Sequence, residues 1–246
     1  MNRGEIRDIS RKRLGETTSA FWTDAELNIY INLGCKDISW KTKCLRANGT
    51  MAVSSCVANT VAAASTEFVL STSLSTAFYA VNEVYFQRES KDYIRIAPSS
   101  REALDVNNHS WQSLVGRTYT STATGVTTYN YESEPSEPTC YYWDREEDNL
   151  GIYPPPNDTH DGALLKIYYS LTHTDLSVDA DIPTIPTGLH LAIVDWVVAT
   201  GLEDRGWGDR ANDMWNKYTI KLQEYKVESR NEREDDDLIM KSYRNI

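Results

Sequence analysis

Phe21-Trp22-Thr23-Asp24-Ala25-Glu26-Leu27, running on through Tyr30-Ile31-Asn32 to Ile38, is the stretch that decides how this chain is built. Thr23 can accept from the first free backbone amides of a helix, and Glu26, three residues later, can reach back to close a capping box. Leu27, Ile31, Cys35 and Ile38 then recur at helical spacing as one apolar stripe. The aromatic pair Phe21-Trp22 precedes the cap, where it can pack back onto the first turns. The spacing predicts a docked helix from Thr23 to about Lys41. That is architecture, not chemistry.

Working outward, the helical signals lie at the two ends of the chain. Arg3 to Leu14 reads as a short helix around Ile6 and Ile9, closed by Gly15. Ile185-Pro186-Thr187-Gly188 leads into Leu189 to Val198, a run apolar almost all round, as expected of the buried central helix of a bundle. Glycines at 201, 206 and 208 predict an interruption there. A last helix is expected from Asp209 to about Arg233, with Ala211, Met214, Tyr218, Leu222 and Tyr225 at 3–4 spacing.

Between these ends the vocabulary changes to Val, Thr, Tyr and Ser. Phe68 to Leu70, Val81 to Phe86, Tyr93 to Ile96, Tyr141 to Trp143 and Gly151 to Tyr153 read as short strands. Leu165, Ile167, Tyr169 and Leu171 alternate as a half-buried strand should. Thr118 to Tyr131, with Gly125 at its centre, predicts a protruding hairpin, and Pro154-Pro155-Pro156 must end the strand before it. The expected class is α+β. Residues 1–47 and 176–233 form a four-helix module, 48–175 an inserted antiparallel β module (sandwich or barrel-like), and 234–246 a C-terminal tail.

The formal net charge of -11 argues against a grip on nucleic acid, which requires Lys and Arg. It is compatible with a surface that nucleic acid slides past. Arg3, Arg7, Arg11, Lys12 and Arg13 run against the trend and read as a solvated helix face or a partner contact. A DNA-binding regulator built on them is disfavoured by the overall charge. Fifteen Tyr and seven Trp against four Phe suit either interfaces or a β-rich core with wet edges. Cys35, Cys44, Cys56 and Cys140 have no CxxC spacing, and Cys35 falls on the apolar stripe. No secretory leader or membrane-length apolar run is evident, so a reducing cytoplasm is the expected place of synthesis. The N-x-S/T matches at Asn48, Asn108 and Asn157 then carry no glycan.

Chemistry is scarce. His160-Asp161 and His173 with Asp175 flank one predicted strand, some ~25–30 Å apart at strand rise. A metal needs ligands within ~2–2.6 Å of one point. His109 has no ligand partner in the pattern, and His190 sits on an apolar helix as a core or edge residue. There is no nucleophile elbow, phosphate loop, dinucleotide fingerprint or zinc-protease motif. Glu146, Glu147 and Asp204 are carboxylates in an acidic chain and do not by themselves make a glycosidase pair. The expectation is no enzyme, no cofactor and no metal site.

The last residues place Glu232, Glu234, Asp235, Asp236 and Asp237 before Leu238-Ile239-Met240 and Tyr243-Arg244. A charged run ahead of a short apolar motif suits a tail that orders on a partner. Leu238, Ile239, Met240, Tyr243 and Arg244 are the candidate partner-binding residues.

Thr17 to Ile38, with its Trp-Thr-Asp-Ala-Glu-Leu start and Tyr-Ile-Asn continuation, resembles the N-terminal helix pair of head-to-tail adaptor (connector) proteins of tailed bacteriophages. Ile9-Ser10-Arg11-Lys12-Arg13-Leu14-Gly15 is similar to the basic, Leu-Gly-terminated first helix of that family. Tyr141-Tyr142-Trp143 with Leu150 to Pro156 resembles its strand pair and Pro-rich exit. Asp181-Ile182-Pro183-Thr184-Ile185-Pro186 resembles its approach to the third helix. Asn48 to Ala64 and the Thr-rich segment have no clear counterpart.

The resemblance implies a structural virion protein of the neck, a dodecameric ring under the portal. That ring would extend the DNA channel, let genomic DNA pass without specific binding, and offer a platform to tail or nozzle proteins and tail fibres. A mobile arm from Glu228 would reach the portal. The reading from another class is a carbohydrate-binding or glycan-cleaving accessory virion protein, using Trp111 and Trp143 against sugars and Glu146 or Glu147 for cleavage.

Overall fold

The computed structural model describes residues 1–16, 21–53, 67–69, 78–88, 92–100, 102–104, 118–120, 127–129, 137–145, 149–154 and 162–242. It is a mixed α+β chain that divides into two compact units: Met1–Leu45 with Leu171–Ile246, and Arg46–Ser170.

The first unit is helical. α1 spans Arg3–Leu14 and α2 Asp24–Thr42. A single 3-10 turn at Thr187–Leu189 runs into α3, His190–Asp204, and α4 spans Gly208–Ser242. Both first helices begin in capping boxes. Asn2 with Glu5 closes one, and Thr23 with Glu26 the other, where the Glu26 amide donates to Thr23 Oγ1 at 3.2 Å and the Thr23 amide to Glu26 Oε2 at 2.8 Å. α1 ends on Gly15, whose φ of +86° is the left-handed conformation that stops a helix cheaply only at glycine.

α3 packs against α1, α2 and α4. Its Ile193, Val194 and Val197 meet the stripe Leu27, Ile31, Cys35 and Ile38 of α2, all of them fully buried, in one core. Burial without a stabilising cation pushes the Cys35 thiol up to about 12, so it behaves as a small apolar side chain.

Three details differ from the sequence reading. Gly201 does not break α3: it lies inside it, where an added Cβ would come within 3.2 Å of Trp22 Nε1, so glycine there admits the indole. The interruption falls at Gly206, φ +77°, and Gly208, two of the three glycines that predicted it. Trp22 is buried, but its neighbour Phe21 is 49% exposed and does not seat on the core. Finally, α4 continues past Arg233 through the acidic run to Ser242, because no glycine or proline interrupts 209–242.

The second unit is a seven-stranded sheet in the order β1-β9-β3-β4-β7-β8-β2. Its strands are β1 Arg46–Ala52, β2 Glu67–Val69, β3 Phe78–Gln87, β4 Tyr93–Pro98, β7 Cys140–Asp144, β8 Asn149–Tyr153 and β9 Leu164–Leu171. β5 Thr118–Thr120 and β6 Thr127–Tyr129 pair antiparallel as a separate ribbon, the hairpin expected there.

The expectation of a purely antiparallel module is corrected at one place: β4 and β7 run parallel, Ala97 opposite Cys140. A parallel neighbour needs a long crossover, and the chain supplies one in the residues between Pro98 and Cys140. β1 was not expected as a strand. It has few β-branched residues and is held by antiparallel pairing with β9, from Arg46 opposite Ser170 to Ala52 opposite Leu164. Leu165, Ile167 and Tyr169 are buried on one face of β9, as their alternation requires.

Candidate partner interface

The helical unit holds a charged node at the face where α3 meets α1 and α4. Asp195 of α3 is fully buried, and a buried carboxylate must be paired. Arg13 from the end of α1 and Lys221 from α4 both bond to it, one on each carboxylate oxygen. Three helices, α1 and the consecutive α3 and α4, are thereby pinned at one point. Arg13 and Lys221 keep 37% and 29% of their side chains exposed, so the node reaches the surface through its cations.

That surface is concave. A cavity of about 520 Å³ opens over the node, with Arg13, Arg210, Lys217 and Lys221 against Asp195 and Asp213. Val198, Leu202 and Met214 supply its apolar part. Four cations to two carboxylates is the reverse of the balance of the whole chain. Asp195 engages Arg13 and Lys221, Arg210 and Lys217 share the lining with Asp213, and the cavity keeps a formal excess of two positive charges. Arg210 and Lys217 are exposed, and neither has an ion pair among the described residues.

Beside the cavity, the α3–α4 turn displays an aromatic–arginine ridge. Phe21 and Trp207 stack with ring planes 5° apart, 49% and 42% exposed. The Arg205 guanidinium lies 4.4 Å from the Phe21 ring centre and donates to the Phe21 carbonyl at 3.0 Å, while Arg210 lies over Trp207 at 5.6 Å. Exposed Trp and Arg held in fixed geometry are the residues that anchor protein partners. On α2 a second apolar line, Ile29, Leu33 and Trp40, faces outward opposite the buried stripe.

Leu238, Ile239 and Met240 fall in the last turns of α4, whose side chains there are not described. Tyr243 and Arg244 lie outside the described residues, as do Trp111, His109, His160, Glu146 and Glu147. Trp143 packs its ring against Phe78 at 6.1 Å, and Asp204 accepts from the Tyr30 hydroxyl. Among the described residues no group of three His, Cys, Asp or Glu could hold a metal ion, and no helix is long and apolar enough to cross a membrane. Asp195 is not among the residues singled out above, although a carboxylate inside an apolar-all-round helix is itself the signal of a buried partner.

Two histidines hold backbone contacts in the helical unit. His173 Nε2 accepts from the Thr184 amide at 3.2 Å. His190 Nδ1 accepts from the N-terminal ammonium at 3.0 Å, and its Nε2 donates to the Ile185 carbonyl at 3.0 Å. Burial pushes both imidazoles below the ordinary histidine value.

A lowered folded value means that their contribution is complete above the unfolded value of about 6.5 and declines as pH falls from there through the folded value. Hydrogen exchange of α1 and the start of α3 is therefore expected to quicken between pH 7.5 and pH 5, beyond the intrinsic pH dependence of the chemistry. A corrected rate flat across that window would refute this.

A family model for the SU10 adaptor protein matches residues 1–238. No curated protein matches the chain.

Proposed function

The chain belongs to the SU10 adaptor protein family, a structural phage adaptor and not an enzyme family, and from that membership we propose that the protein forms a ring under the portal of a tailed-phage capsid. The observation that carries this reading is the extent of the match, which takes in both helical ends and the whole β insertion. The ring extends the DNA channel, and its negative charge lets genomic DNA pass without being held. Twelve copies is the expected count. The four helices act as one module that packs against neighbouring copies, and the sheet serves as the platform for tail or nozzle proteins. The end of α4 and the residues after it, Leu238, Ile239, Met240, Tyr243 and Arg244, form the arm that docks on the portal.

The outward apolar line of α2 and the aromatic–arginine ridge support this reading. They lie on one subunit as two distinct patches, as the heterologous contacts of a closed ring require.

The test is to mix the full-length protein with purified portal particles and count adaptor copies per portal by native mass spectrometry and electron microscopy. A ring of defined copy number is expected. Truncation after Asp237 should reduce loading at least tenfold, about 1.4 kcal/mol or more in binding free energy. Portals that stay bare at every adaptor concentration would overturn the proposal.

A further inference from the structure

The basic cavity and the acidic second half of α4 are complementary, and they cannot meet within one subunit. The cavity takes its α4 residues from Arg210, Asp213, Lys217 and Lys221. Glu232, Glu234, Asp235, Asp236 and Asp237 lie further along the same unbroken helix. At 1.5 Å per residue, Glu234 stands about 20 Å beyond Lys221 along the axis. An α-helix does not fold back on itself, so a chain's own acidic run stays out of its own cavity. We propose that the cavity is the seat for the acidic run of α4 from a second copy of this chain, so that neighbouring subunits are joined head to tail.

The chemistry selects this occupant. Arg13 and Lys221 are both bonded to Asp195, and Arg210 and Lys217 share the lining with Asp213, so four cations against two carboxylates leave a formal excess of two positive charges to take up incoming carboxylates. A nucleic-acid backbone is a poor competitor, because that excess in a concavity does not track a phosphate row and the chain's charge of -11 repels it. A volume of about 520 Å³ lies within the ~300–1,000 Å³ of cavities that hold ligands and takes in acidic side chains with room to spare. Donor and acceptor sit at different places on one subunit, so repetition of the contact generates a ring when the rotation closes. The run from Glu232 to Asp237 then lies on the neighbour, and the residues from Leu238 onward pass beyond it. The inference deepens the ring reading by naming one of its subunit contacts, and it rests on that reading.

The test uses the full-length chain. Equal amounts of unlabelled and 15N-labelled protein, alone and loaded on portals, are treated with a carbodiimide, which condenses a lysine amine with a carboxylate to an amide with loss of water. Mixed-isotope peptides joining Lys217 to the Glu232–Asp237 segment are the expected product. Their absence, or links from Lys217 only to portal peptides, would overturn the proposal.

Arg210→Glu with Lys217→Glu is expected to lower adaptor occupancy on portals at least tenfold, and the same pair combined with Asp235→Lys and Asp236→Lys in one chain should restore it. Full occupancy by the cavity variant alone would sink this contact while leaving the ring intact. Mixed-isotope links without any portal loading would keep the contact and remove the portal reading.

Discussion

Replacing Arg13 and Lys221 together with methionine is expected to destabilise the helical unit by about 3–5 kcal/mol, whereas either replacement alone costs much less. Asp195 is fully buried on α3 and is reached by these two cations from α1 and α4. With one cation left, the carboxylate remains compensated. With neither, a charge is stranded in a core of Ile193, Val194, Val197 and Val198. The two substitutions share one partner, so their effects should exceed additivity.

Adding Asp195→Leu to the pair should recover most of the loss, since a buried ion cluster replaced entirely by apolar groups is close to neutral. Denaturant unfolding followed through the Trp emission of the helical unit checks all four variants. A double variant no less stable than its worse single parent would refute the node. Asp195 also fixes the cavity: it holds Arg13 and Lys221 in place at the side of the lining that Arg210, Asp213 and Lys217 complete.

How much of this was legible depends on how local each cause is. Thr23 and Glu26 are three residues apart, and their mutual hydrogen bonds stand where the capping pattern puts them. Leu27, Ile31, Cys35 and Ile38 are buried because their spacing alone assigns them one face. β1 was illegible for the opposite reason. Arg46-Ala47-Asn48-Gly49-Thr50-Met51-Ala52 has little preference for extended structure, and its conformation is imposed by β9, more than a hundred positions away. The parallel pairing of β4 with β7 likewise follows from where a long connection returns.

The cavity combines residues 13, 195, 210, 217 and 221, which only the packing of three helices brings together. Two fragments of it could be read: the Asp within an apolar helix, and basic residues in an acidic chain. Their meeting could not. The terminal residues singled out from the sequence, Leu238, Ile239, Met240, Tyr243 and Arg244, rest on composition alone, and the portal-loading experiment decides them.

Gly151→Ala is expected to cost about 2–3 kcal/mol in the sheet unit, a large effect for one methyl group. Gly151 on β8 stands opposite Tyr142 on β7, and the Tyr142 ring lies across the glycine. A Cβ there would fall 2.0 Å from Cζ, 2.1 Å from Cε1 and 2.3 Å from the hydroxyl oxygen. Ordinary carbon contacts begin near 3.5 Å, so the ring must move by more than an ångström. It has nowhere to go: Tyr142 is 2% exposed and packs against Leu104, Cys140 and Tyr153.

The alternative is for β8 to shift, but Gly151 also pairs with Glu67 of β2, so a shift would loosen the edge strand as well. Tyr142→Ala removes the obstacle at its own cost of about 3–5 kcal/mol. In that background Gly151→Ala should add less than about 0.5 kcal/mol, a coupling that only a direct steric conflict produces. Hydrogen exchange along β7 and β8 reads the loss where it occurs, while α1 to α4 should keep their protection. Equal costs for Gly151→Ala with and without Tyr142 would show that the ring does not require the glycine.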